Sequence, residues 1–138
     1  SLFVAQFIGR NTLVPGIVKQ AGAHETSVET AFGVLAGSPS QDVKAGEKVS
    51  LVLPAEAMDV VLDSVPEAQL RENYGVCFIP VTISAFQQIG HLVHMTVDLP
   101  NGQSMAIEGH TDKYGGRFSA GDKAKVAWKS TGATIISH

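Results

Sequence analysis

The chain has 138 residues, 44% hydrophobic and 17% charged, enough for one ordinary domain with a buried core. Ten Lys and Arg against thirteen Asp and Glu leave a net charge of -3, which gives no electrostatic footprint for a phosphate backbone and argues against a nucleic-acid partner. No apolar run reaches the roughly 20 residues of a membrane-spanning helix, and the first residues lack a signal peptide's charged start and cleavage site. The expectation is a cytoplasmic domain with no direct membrane insertion. Ser1 in place of an initiating Met agrees with a processed start or with an excised fragment.

In chain order, residues 2–8 have a short helical pattern, followed by turn and strand residues from Arg10 to Gly16. Apolar residues then alternate with polar ones, or cluster with β-branched types, at a strand period. This predicts strands over residues 12–19, 26–32, 48–53, 58–62, 76–85, 91–99, 104–108, 124–128 and 134–136. A second short helix is predicted over 66–72, since Pro66 suits a first helical turn, where its missing N–H would be unpaired anyway. Residues 37–40 read as a surface loop, and Pro100-Asn101-Gly102 as a hairpin turn in which Asn and Gly accept a positive φ.

The chain also repeats itself. Gly46, Glu47 and Lys48 recur as Gly121, Asp122 and Lys123, 75 residues later, each run leading into a strand, a break and another strand. Leu13-Val14-Pro15 resembles Phe78-Ile79-Pro80 at a spacing of 65, so the second half is longer; its extra residues are expected around Asn101 and Tyr114-Gly115-Gly116. The prediction is an all-β fold, with one or two short helices, in which two similar halves, about 11–63 and 75–138, pack as one barrel-like body.

Catalytic equipment is missing from the sequence. It contains no G-x-x-x-x-G-K-[ST] loop, no G-x-G-x-x-G after a strand, no C-x-x-C and no H-E-x-x-H. His91 and His94, three apart on a strand, are expected to point to opposite faces and share no metal. Glu56, Asp59, Asp63, Glu67 and Glu72 read as a solvated acidic face, Cys77 in VCFIPV as an inert core thiol, and Trp128 as a core plug or interface anchor. Tyr114 reads as a loop residue. Arg10, Asn11 and Thr12 stand at a helix-to-strand corner where unpaired N–H groups can hold an oxyanion, or where Asn11 and Thr12 simply cap and turn the chain with Arg10 in solvent.

The segments FVAQFIGRNTLVPGIV, AGEKVSLVLPAEAMDV, IGHLVHMTVDLPNGQ and AGDKAKVAW, in this order, resemble the C-terminal transport-associated OB-like (TOBE) domain of bacterial ATP-binding cassette importer ATPases of the sugar, polyamine, ferric iron and phosphonate type. Phe3 to Gly9 matches the end of that family's helix leaving the ATPase core, Asn11 to Gly16 its first strand with one residue more between Leu13 and Gly16, and Gly46 to Lys48 its acidic turn. Where the family commonly reads Val-Arg-Pro-Glu, the chain has Leu53-Pro54-Ala55-Glu56, so the family's Arg is missing and Glu56 alone matches. The resemblance implies that residues 1–10 end a linker helix and 11–138 form one TOBE-type domain, regulatory and dimerising, with no catalysis of its own. It implies the ATPase core, a second copy (a homodimer) and, through the core, the transporter's membrane subunits as partners, at the inner face of the cell membrane. ATP and magnesium belong to the core, and no cofactor or metal is expected in this stretch.

The same segments are similar to molybdate-binding Mop domains, which share the fold and hold an oxyanion with a Ser-Ala-Arg-Asn strand start and a Lys-Ala-Ser turn. Arg10 and Asn11 match the first motif, and Lys129 and Thr131 match the second. Pro54 stands in the first half where that family has a lysine, and Mop domains lack this chain's longer second half. The alternative reading is therefore small-oxyanion binding through Arg10, Asn11, Lys129 and Thr131, beside the transporter-module reading and an enzyme class with no positive feature.

Overall fold

The computed structural model describes residues 10–138. The helix expected over residues 2–8 and the linker segment 1–10, apart from Arg10, lie outside the described residues.

Ten strands form two five-stranded antiparallel sheets. The first half supplies β1 (Asn11–Ala21), β2 (Thr26–Thr30), β3 (Gly33–Gly37), β4 (Lys48–Pro54) and β5 (Asp59–Leu62). The second supplies β6 (Phe78–Ile89), β7 (Leu92–Asp98), β8 (Ser104–His110), β9 (Lys123–Ala127) and β10 (Thr134–Ser137). Helix α1 (Glu67–Tyr74) joins the halves, and the one-turn α2 (Thr111–Tyr114) follows β8. The sheet orders are β10-β4-β1-β2-β3 and β5-β9-β6-β7-β8. Each half thus builds four strands of its own sheet and donates its fifth to the other. This exchange makes the halves inseparable, because neither sheet is complete without a strand from the other half.

The repeat is visible in the backbone. Gly46 and Gly121 have φ of 92° and 94°, the positive values an L side chain resists. The acid beside each glycine closes the turn: the Glu47 Oε1 accepts from the Lys44 amide at 3.1 Å, and the Asp122 Oδ2 from the Ser119 amide at 2.9 Å. Val18 donates to and accepts from one turn, at Glu47 and Gly46, as Ile83 does with Asp122 and Gly121. Both first strands then shift register, β1 between Val18 and Gln20 and β6 between Ile83 and Ala85. The 3-10 turns Ala55–Ala57 and Ser130–Gly132 occupy matching places before the donated strands.

Nine of these strands overlap the sequence expectation. The tenth, β3, falls between the strand expected over 26–32 and the loop expected over 37–40, with only Gly37 covered, as part of the loop. Instead Gly37 is buried, and a Cβ there would lie 2.9 Å from both Ile135 and Leu51 side chains, so the close approach itself demands glycine. His91 lies in the turn between β6 and β7, not in a strand. The extra length of the second half is in longer β6 and β7, in the Asn101 hairpin and in α2.

One apolar core runs through both sheets. Cys77 and Trp128, adjacent across the start of β6 and the end of β9, both reach over to the other sheet. The Cys77 thiol and the Trp128 Nε1 donate to the Ala36 carbonyl at 3.4 and 3.0 Å. Trp128 is therefore the core plug that its sequence context allowed. The first sheet closes where the Ser38 amide donates to the Ala133 carbonyl at 2.8 Å. The second closes through Tyr114, whose hydroxyl donates to the Met58 carbonyl at 3.1 Å and accepts from the Val60 amide at 3.3 Å. Tyr114 is thus no loop residue. It is fully buried, edge-on to Phe118, because its hydroxyl finds partners 54 and 56 residues away in sequence.

Candidate functional site

The four oxyanion candidates fall into two pairs. Asn11 opens β1 opposite Pro54, and the Arg10 carbonyl accepts from the Ala55 amide at 2.8 Å, so this corner rests on the first 3-10 turn. The Arg10 guanidinium lies 2.9 Å from Glu108 Oε2 and bonds the His94 Nδ1. His94 and Glu108 are direct partners across β7 and β8. A guanidinium only donates, so Nδ1 accepts and the His94 ring carries its proton on Nε2. Arg10 is exposed, as the reading that left it in solvent had it, and is ion-paired as well.

The second corner lies at the turn Ser130–Gly132. The Lys129 ammonium donates to the Asn73 carbonyl at the end of α1, where the exposed carbonyls of a helix favour a cation. It lies 4.9 Å from the centre of the Tyr74 ring. The Tyr74 hydroxyl donates to Asp59 Oδ2 at 2.8 Å, and Lys113 pairs with Asp59 Oδ1. Burial first, and then the bond to the Asp59 carboxylate, push the Tyr74 phenol well above its ordinary range. The Thr131 carbonyl accepts from the Ser38 hydroxyl at 3.2 Å.

Among the described residues no hydrogen bond or ion pair joins Arg10 or Asn11 to Lys129 or Thr131. The repeat explains the division. By the spacing of 75, Lys129, Ser130 and Thr131 are the counterparts of Pro54, Ala55 and Glu56; by the spacing of 65, Gly75 and Val76 are the counterparts of Arg10 and Asn11. The backbone of each corner therefore comes from one half, which holds two of the four residues, while side-chain partners such as Glu108 at the first corner and Asp59 at the second come from the other half. Sequence reasoning missed Tyr74, Asp59 and Lys113. It missed His94 and Glu108 as partners of Arg10 too, because contacts spanning 84 residues or more leave no local pattern.

The acidic run is not uniformly solvated: Asp59 is half-buried between Tyr74 and Lys113, while Asp63 pairs with Lys125 and Glu67 with Arg71. Among the described residues no group of three His, Cys, Asp or Glu side chains is placed to hold a metal ion. A depression of about 480 Å³ lined by Lys19, His24, Glu25 and Val76 lies at the end of β1 opposite Arg10.

Cys77 is buried, and its burial pushes the thiol up to about 12. Between the ordinary value near 9 and about 12, the unfolded chain has released a proton that the folded chain still holds. Stability is accordingly full below about pH 9 and falls as the pH rises toward 12. Thermal melts from pH 8 to 11 are expected to show that fall, with iodoacetamide leaving the folded thiol intact at pH 8 and modifying it in urea. Rapid modification of the folded chain at pH 8 would contradict this burial.

The chain is similar to the cytoplasmic molybdate-binding protein ModG in its PEG-grown form with molybdate bound, at a TM-score of 0.71 and 17% identity, over 92% of this chain and 96% of that one. The fold is OB-like. It is the duplicated, mostly β architecture expected from the repeat, and the OB-like fold is shared by both resemblances noted in the sequence. No protein-family profile matches the chain. No curated protein matches it in sequence. Among the described residues no helix of this OB-like domain is long and apolar enough to cross a membrane.

Proposed function

We propose that this chain is a non-catalytic binding domain for a small tetrahedral oxyanion of the molybdate class. The observation that carries the reading is the end-to-end likeness to ModG, a molybdate-binding protein, in a chain whose sequence holds the Lys-x-Thr element. Lys129 and Thr131 are the binding residues at the second corner, where Lys129 has no carboxylate partner among the described residues. Arg10 and Asn11 shape the corner at the start of β1. Isothermal titration with molybdate, tungstate, sulfate and phosphate tests the reading. Saturable heat with at least one of them is expected, and a flat response to all four at millimolar anion overturns it.

A second reading is supported by the ordered segments from FVAQFIG to AGDKAKVAW: an accessory domain of an importer ATPase, meeting a second copy of itself. The ATPase core, with its ATP and magnesium, the membrane subunits and a position at the inner face of the cell membrane all belong to this reading. The two are compatible, since an anion bound to one state of the accessory domains would bias the cassettes toward that state. A coding sequence carrying Walker A, signature and Walker B motifs upstream of Ser1 supports it, and one without them overturns it.

A further inference from the structure

The repeat offers two equivalent corners, and their chemistry is not the same. We infer that the chain binds one oxyanion, not two, at the Lys129–Thr131 corner only, an inference that rests on the oxyanion reading above.

At the first corner the one cation is already committed. Arg10 is held by Glu108 at 2.9 Å and by His94. Glu56 stands where the second half has Thr131, and Pro54 where it has Lys129. Arg10 and Glu108 thus neutralise each other, and neither Pro54 nor Glu56 adds a cation to the corner. An arriving anion would have to break the Arg10–Glu108 pair and leave Glu108 unpaired beside it. In a partly desolvated corner, like charges a few ångströms apart repel strongly.

The second corner differs. Asp59 is engaged by both Lys113 and the Tyr74 hydroxyl, and among the described residues Lys129 has no carboxylate partner. The Tyr74 ring beneath Lys129 and the Asn73 carbonyl fix the position of the ammonium, which leaves less freedom to lose when a ligand arrives. Thr131 offers a hydroxyl in place of a carboxylate. Tyr74 is thereby a positioning residue, acting through Lys129.

The test is the stoichiometry of molybdate binding to the full chain by isothermal titration, with three variants. One molybdate per chain is expected. Binding should weaken at least tenfold in Lys129→Ala and vanish in Thr131→Glu, which installs the first corner's carboxylate; in Arg10→Ala it should remain within about twofold of the original. Circular dichroism melts confirm that each variant folds, all three positions being exposed. Two sites per chain, or a single site lost in Arg10→Ala and kept in Lys129→Ala, overturns the inference while leaving oxyanion binding standing. No heat from the unaltered chain overturns the oxyanion reading, and the inference with it.

Discussion

Replacing Trp128 with alanine is expected to remove about 3–5 kcal/mol of stability, read as a large fall in the urea midpoint or melting temperature. The side chain is fully buried, and its indole spans the two sheets to the Ala36 carbonyl. Its loss takes away the largest single apolar side chain in the core and leaves a cavity where the surrounding strands are held by their ladders. Collapse is limited because β9 is paired on both sides, to β5 and β6. Ala36 O keeps the Cys77 thiol as a partner, so the penalty comes mainly from the void and not from an orphaned carbonyl. A loss below about 1 kcal/mol would show that the sheets do not depend on this plug.

Tyr114→Phe is the more local experiment and the sharper one. It keeps the ring, its edge contact with Phe118 and nearly all of the volume, and removes one oxygen. That oxygen serves the Met58 carbonyl and the Val60 amide at the point where the second sheet closes onto the donated strand β5. Two backbone groups are then left buried with a partner removed, so a loss of about 1–3 kcal/mol is expected. Amide exchange measured by NMR should quicken at Val60 before it does at Val126 or Ile79, deep in the same sheet. A variant as stable as the parent with unchanged exchange at Val60 would mean that the hydroxyl does not hold the closure.

Both residues show where sequence reading succeeds and where it stops. Trp128 was legible because, one residue beyond β9, it continues the alternation of the buried Ala124 and Val126, and alternation reports burial directly. Tyr114 was not, since a tyrosine before Gly115 and Gly116 has the local pattern of a loop, and its burial is set by strands more than fifty residues away. β3 was hidden for a related reason. GVLAG has glycine at both ends, and only register with β2 and close packing against Leu51 and Ile135 make it a strand. At the candidate site, the sequence named Arg10, Asn11, Lys129 and Thr131, and the repeat spacing held the further information that the two pairs belong to different halves. What it did not contain was the set of long-range partners that commit Arg10 to Glu108 and His94, and Lys129 to Asn73 and Tyr74.

By itself, then, the sequence determined the strand-rich class, the duplication, nine of the ten strands and the turns that carry the repeat. These depend on side-chain period and on glycine at positive φ, which are local properties. Only the tertiary structure decided that β5 and β10 change places between the halves. A short apolar strand has the same alternation whichever sheet it joins, and the choice is made by pairing with β9 or β4. The structure also decided which corner's cation is neutralised, because Arg10 meets the distant Glu108 and Lys129 meets a carbonyl and an aromatic ring.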